Sequence, residues 1–117
     1  MRYMLLFAGD QAEYDAMTPD DSKAMLGRVG EWWGKHSAAG TLVGGEQLQP
    51  PSTATTVRHQ DGGGHLITDG PFIEAKEQIG GYAIVDVANL DEALDLAKTW
   101  PVGGSVEVRP LVPLDAH

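Results

Sequence analysis

Residues 2–8 place Tyr3, Leu5 and Phe7 on one face of an extended segment and Met4, Leu6 and Ala8 on the other. A strand that is apolar on both faces belongs in the middle of a sheet covered on both sides. Residues 82–87 repeat the pattern apart from Asp86 and predict a second central strand. Residues 41–48 predict another, with Gly44-Gly45 as a bulge or weak point and Pro50-Pro51-Ser52 as its end. In residues 105–109, Val106 and Val108 alternate with Ser105, Glu107 and Arg109, the pattern of a strand with one apolar face. Gly9-Asp10 ends the first strand, and the polar stretch up to Met17 reads as a loop.

Between the strands the period changes from two to between three and four. Thr18, Pro19, Asp20 and Asp21 make a helix start: a hydroxyl cap, proline at the first helical position, and carboxylates at the positive end of the dipole. Met25, Val29, Trp32 or Trp33, and His36 then form one apolar stripe that stops near Gly40. Gly27, Gly30 and Gly34 lower the intrinsic stability of this helix by about 1 kcal/mol each relative to alanine. Their small size suits close packing against another element. Asn89-Leu90-Asp91-Glu92 has the form of a capping box, Leu90, Ala93, Leu94 and Ala97 supply the stripe of a second helix, and Pro101 stops it.

A hairpin fills the middle of the chain. Residues 55–60 and 65–69 flank Asp61-Gly62-Gly63-Gly64, whose glycines supply the positive φ of a tight turn. A two-residue turn at Gly62-Gly63 sets Gln60 opposite His65, Arg58 opposite Ile67 and Thr56 opposite Asp69. In that register Arg58, His65 and Asp69 share one face and His59 takes the other. His65 and Asp69 would lie about 13 Å apart along the strand, too far to pair directly, and Arg58 could bridge to either. With His59 turned away, no metal site from His59, His65 and Asp69 is expected.

Without the hairpin the order is βαββαβ, a ferredoxin-like α+β unit with both helices on one face of the sheet. The other face, apolar in the central strands, would remain wet unless a second subunit covers it, so the sequence predicts a homodimer.

Composition narrows the function. The 117 residues fit one domain, taken as residues 1–112 with 113–117 as a tail. The absence of cysteine removes disulfide, thiolate-nucleophile and thiolate-metal chemistry and agrees with a cytoplasmic location. No apolar run approaches the roughly 20 residues of a membrane span, and Met1-Arg2 leads straight into strand sequence in place of a signal peptide. A net charge of -9, from 8 Lys and Arg against 17 Asp and Glu, argues against nucleic-acid and anionic-membrane partners. No cofactor motif is present, because the glycines of residues 61–64 lack the spacing and following helix of a phosphate loop.

An ordered set of short motifs runs through the second half of the chain: Asp69-Gly70-Pro71-Phe72, Glu74, Lys76-Glu77, Gly80-Gly81-Tyr82, Asp91-Glu92-Ala93, Pro101 and Glu107-Val108-Arg109-Pro110. With residues 40–48 and 55–58, the set resembles the YCII-related family in its Asp-Gly-Pro-Phe (DGPF domain) branch. The resemblance implies a dimeric α/β barrel, in which two ferredoxin-like sheets pack face to face and leave a cleft by the helices. It also implies an association with extracytoplasmic-function sigma factors, beside which such proteins are often encoded. Relatives with proposed lyase-like chemistry carry a His-Asp arrangement whose histidine lies in the first helix; the matching turn here, residues 22–25, has none.

The candidate site is therefore Asp69, as proton acceptor, with Arg58, His65, Glu107, Arg109 and Trp33 as ligand-binding groups. Arg109 would hold a carboxylate or phenolate of a small acidic or aromatic ligand. Asp69 also reads as a turn residue whose carboxylate caps backbone N–H groups. Glu74, Lys76 and Glu77 read as an exposed turn or as an ion-pair network with Arg58 or Arg109, and Glu107 with Arg109 as an outward salt bridge. His36 reads as a packed helix-end histidine, and Trp32 and Trp33 as core or interface anchors. Two functions follow: a small-molecule binder or enzyme with Asp69 as general base, or a non-catalytic accessory domain that holds a protein partner through its acidic surface.

Overall fold

The alternation in residues 2–8 becomes β1 (Arg2–Asp10) in a computed structural model that describes residues 1–73 and 75–116. A short helix α1 (Gln11–Asp15) follows, then α2 (Pro19–Ala38), β2 (Leu42–Gln47), β3 (Thr55–His59), β4 (His65–Asp69), β5 (Glu77–Asp86), α3 (Leu90–Lys98) and β6 (Ser105–Pro110). The fold is α+β, with a four-stranded antiparallel sheet in the order β2-β5-β1-β6 and a separate two-stranded sheet, β3-β4. The single chain forms no closed barrel among its described residues.

Local chemistry sets the helix ends where the sequence places them. Thr18 Oγ1 accepts from the Asp21 N–H at 3.1 Å and caps α2. At the other end Gly40 takes φ +77°, Thr41 N–H reaches the His36 carbonyl and Gly40 N–H the Ser37 carbonyl, the paired bonds of a Schellman stop. Asn89 Oδ1 accepts from Glu92 N–H at 3.0 Å, while the Glu92 carboxylate reaches back to Ala88 N–H. The stretch after β1 is a helix, not a loop: Asp10 Oδ1 accepts from Ala12 N–H at 2.9 Å, a cap that nucleates α1.

Both long helices lie on one face of the large sheet. There Tyr3, Leu5 and Phe7 of β1 meet Ala83 and Val85 of β5, Trp32 of α2, and Ala93 and Leu96 of α3. The buried arc of α3 runs through Ala93, Leu96 and the flanking Trp100; Leu90 and Leu94, expected inside, lie at its exposed rim. Phe7 stacks on Trp100 at 3.7 Å between ring centroids, and Trp32 stands edge-on to both. The Trp32 indole N–H donates to Thr99 Oγ1 at 2.8 Å, tying α2 to the end of α3.

The second face is carried by Met4, Leu6 and Ala8 opposite Ile84, Tyr82 and Ile79, with Arg109 and Glu107 opposite Met4 and Leu6 on the other side. These apolar groups are half-buried or exposed. The molecule is accordingly flat, 48 × 46 × 19 Å, the thickness of one sheet and one helical layer.

The β3-β4 hairpin is an arm. Its strands pair His59 with His65, Arg58 with Leu66, Val57 with Ile67 and Thr55 with Asp69. This is one residue away from the expected register, because Gln60 N–H bonds the Gly64 carbonyl and residues 60–64 all stay in the loop. Gly62, Gly63 and Gly64 all take positive φ, so the turn closes one residue wider than a two-residue hairpin. His59 therefore joins the face of His65 and Asp69, and Arg58 points to the opposite one. No group of three or more metal-ligating side chains occurs among the described residues.

Candidate functional site

The sequence-nominated residues fall in three separate places. Asp69 ends β4 on the exposed arm. Among the described residues its carboxylate forms no hydrogen bond; the turn is pinned instead by Gly70 N–H to the Ala54 carbonyl and by Thr56 Oγ1 to the Gly70 carbonyl, each at 2.7 Å. His65 faces His59, their rings 4.8 Å apart. Arg58 donates to the Phe72 carbonyl at 3.2 Å. Glu107 and Arg109 bond each other on the uncovered face of the large sheet. The single chain thus gathers Arg58, Asp69 and Arg109 into no common hollow. Lys76 pairs with Asp10 at 3.7 Å, and among the described residues Glu77 forms no ion pair with Arg58 or Arg109; Glu74 lies outside the described residues.

Trp33 is the exception, because it borders an open-sided cavity of about 790 Å³ between α2 and the sheet. Met25, Val29 and Trp33 of α2 form one wall, and Phe7 and Trp100 form part of another. Gly45, which pairs with Ala83 just past the β2 irregularity between Leu42 and Gly44 and takes φ +134°, allows this approach: a Cβ there would overlap the Tyr82 carbonyl and crowd the Trp33 ring. Gly30 and Gly34 also border the cavity, and a Cβ on either would meet nothing within 4 Å. The helix glycines therefore do not seat a neighbouring element; they leave open space.

Polar groups stand at the rim. Tyr14, on α1, lies over Gly9, where any Cβ would overlap its ring. Burial first, then the carboxylates of Glu13 and Glu77, push its phenol above the usual tyrosine range, so it remains a hydroxyl donor at neutral pH. Gln78, whose amide donates to the Ala75 carbonyl at 2.8 Å, contributes an amide to the same rim. Apolar and aromatic walls with a few convergent polar groups are the general form of a small-molecule site.

Of the residues nominated from the sequence, Trp33 alone is in the lining of this cavity. Tyr14 carries no signal in the sequence, because the polar stretch around it reads as loop and its approach to Gly9 depends on the helix α1. Gly30 and Gly34 are visible in the sequence, but a glycine's meaning depends on whether its missing side chain faces a neighbour or a void.

Residues 1–115 match the family model described as YCII-related domain, and the chain belongs to the YCII-related family. An uncharacterized protein of Rhizobium meliloti (strain 1021) is 36% identical over 115 residues, covering 95% of this chain and 92% of that protein.

Proposed function

We propose that the chain is a small-molecule-binding protein whose ligand occupies the cavity between α2 and the sheet. The single observation behind this reading is the cavity of about 790 Å³ walled by Phe7, Trp33, Trp100 and Val29, with Tyr14 and Gln78 at its mouth. Aromatic walls supply contact area, and the rim groups supply orientation. Binding is a better fit than proton transfer between paired groups, because Glu46 is the one carboxylate in the described lining, which holds no His, Lys, Arg or Asp.

In this reading the protein is a ferredoxin-like homodimer. The sheet order β2-β5-β1-β6 and the placement of both long helices on one face support the fold assignment. The half-buried Met4, Leu6, Tyr82 and Ile84 on the other face support a second subunit there. Asp69-Gly70-Pro71-Phe72 supports membership of the Asp-Gly-Pro-Phe branch.

The test is a thermal-shift and tryptophan-fluorescence screen of small aromatic compounds, repeated on Gly30→Leu and Asp69→Ala. A Cβ at position 30 meets nothing within 4 Å, and the longer leucine side chain is expected to occupy the cavity that Gly30 borders. Binders that lose at least about tenfold in affinity (about 1.4 kcal/mol) in Gly30→Leu and keep it in Asp69→Ala support the reading. The opposite pattern moves the site to the arm and to Asp69.

The net charge of -9 favours a second reading, an accessory domain that holds a basic protein such as an extracytoplasmic-function sigma factor. Co-purification that is lost in high salt and indifferent to Gly30→Leu would favour it.

A further inference from the structure

A second hollow of about 480 Å³ lies at the base of the arm, walled by Pro71, Phe72, Ile73 and Ile79. Leu48, Gln49, Pro50, Pro51 and Gln78 border both hollows, so the two adjoin along one segment of chain. The apolar groups of the second hollow are not satisfied within the chain: Phe72 is 67% and Ile73 57% exposed. The charges are one-sided. The described linings contain Glu46 and Glu77 and no Lys, Arg or His. The Glu77 carboxylate is close enough to Tyr14 to contribute to the rise of its phenol.

An anionic ligand would be repelled here by Glu46 and Glu77 and by the field of an acidic protein, since the nearby Arg58 guanidinium is held on the Phe72 carbonyl at 3.2 Å and borders neither hollow. An ammonium or a hydroxyl would not, and an ammonium is further favoured by carboxylates and aromatic faces. Resting on the reading of the α2 cavity as the binding site, we infer that the two hollows form one trough for an elongated apolar molecule with an uncharged or cationic polar end, an amine or alcohol and not a carboxylic acid.

The experiment is a tryptophan-fluorescence titration of the full chain with straight-chain amines, alcohols and carboxylic acids from butyl to decyl, with benzylamine and benzyl alcohol as short probes. Affinity for the amines and alcohols is expected to rise about two- to fourfold per methylene until the trough is filled. At equal length the acids bind at least about tenfold more weakly than the amines. Phe72→Ser, a change at an exposed position, removes the gain of the longer chains and leaves the short probes unaffected.

If the short probes bind with Gly30→Leu sensitivity while chain length or Phe72→Ser makes no difference, the trough is overturned and the cavity reading stands. Acids that bind as tightly as amines overturn the assignment of ligand charge. If no probe of any length binds, both the trough and the cavity reading fall.

Discussion

Trp32 shows how much one side chain can organise. Its ring meets Phe7, Trp100, Trp33 and His36, and its N–H is spent on Thr99 in a setting where Trp32 is only 6% exposed. Thr99→Val is expected to strand that N–H and cost about 1–3 kcal/mol, read as a lower urea midpoint at unchanged slope. An unchanged midpoint would show that the bond is not needed. His36 carries a separate, pH-dependent signature. Burial, beside the Trp32 ring, and then Lys35 lower its pKa from the usual 6.5. The unfolded chain therefore takes up this proton at a higher pH than the folded chain. Stability is unaffected well above 6.5 and declines as pH falls through the ordinary histidine range toward the folded value. His36→Gln should flatten the decline of Tm between about pH 7 and pH 5.5; parallel curves for wild type and variant would contradict this.

At the scale of elements, what the sequence states in local chemistry survives folding, and what depends on distant partners does not. Thr18, Gly40 and Asn89 mark helix ends because caps involve only residues a few positions away. The expected stripe of α3 holds at Ala93 and Ala97 and fails at Leu90 and Leu94, since only the neighbouring sheet and α2 decide which arc is covered. The hairpin was legible as a hairpin but not in register: three adjacent glycines permit several turn widths, and one extra residue turns every side chain over. Its exposed residues make the arm the least secured strand pair, and amide exchange should be fastest in β3 and β4 and slowest in β1 and β5. Comparable protection in the arm would mean that something covers it. The helix glycines offer a sharper test. Gly30→Ala and Gly34→Ala should each stabilise the fold by about 1 kcal/mol, because the new methyl meets nothing. Gly45→Ala should destabilise it by more than about 1 kcal/mol, through a positive φ and a clash with the Tyr82 carbonyl.

Over the whole molecule, the candidate site was the least legible feature. A cavity bounded by α1, α2, β2, β5 and Trp100 exists only once elements far apart in sequence are assembled, and no short motif encodes it. The uncovered sheet face was legible, because alternation in residues 2–8 already shows two apolar sides. Ile84→Lys, at the middle of that face, should weaken the proposed dimer at least about tenfold in sedimentation velocity; a monomeric wild type at micromolar concentration would contradict the dimer itself. The binding cavity is tested most directly by the indole N–H resonances of the three tryptophans during titration with a short aromatic amine. Trp33 and Trp100, which border the cavity, should shift with saturation, and Trp32, held by Thr99, should move least. Saturable shifts confined to the amides of residues 65–69, with all three indoles still, would contradict the account.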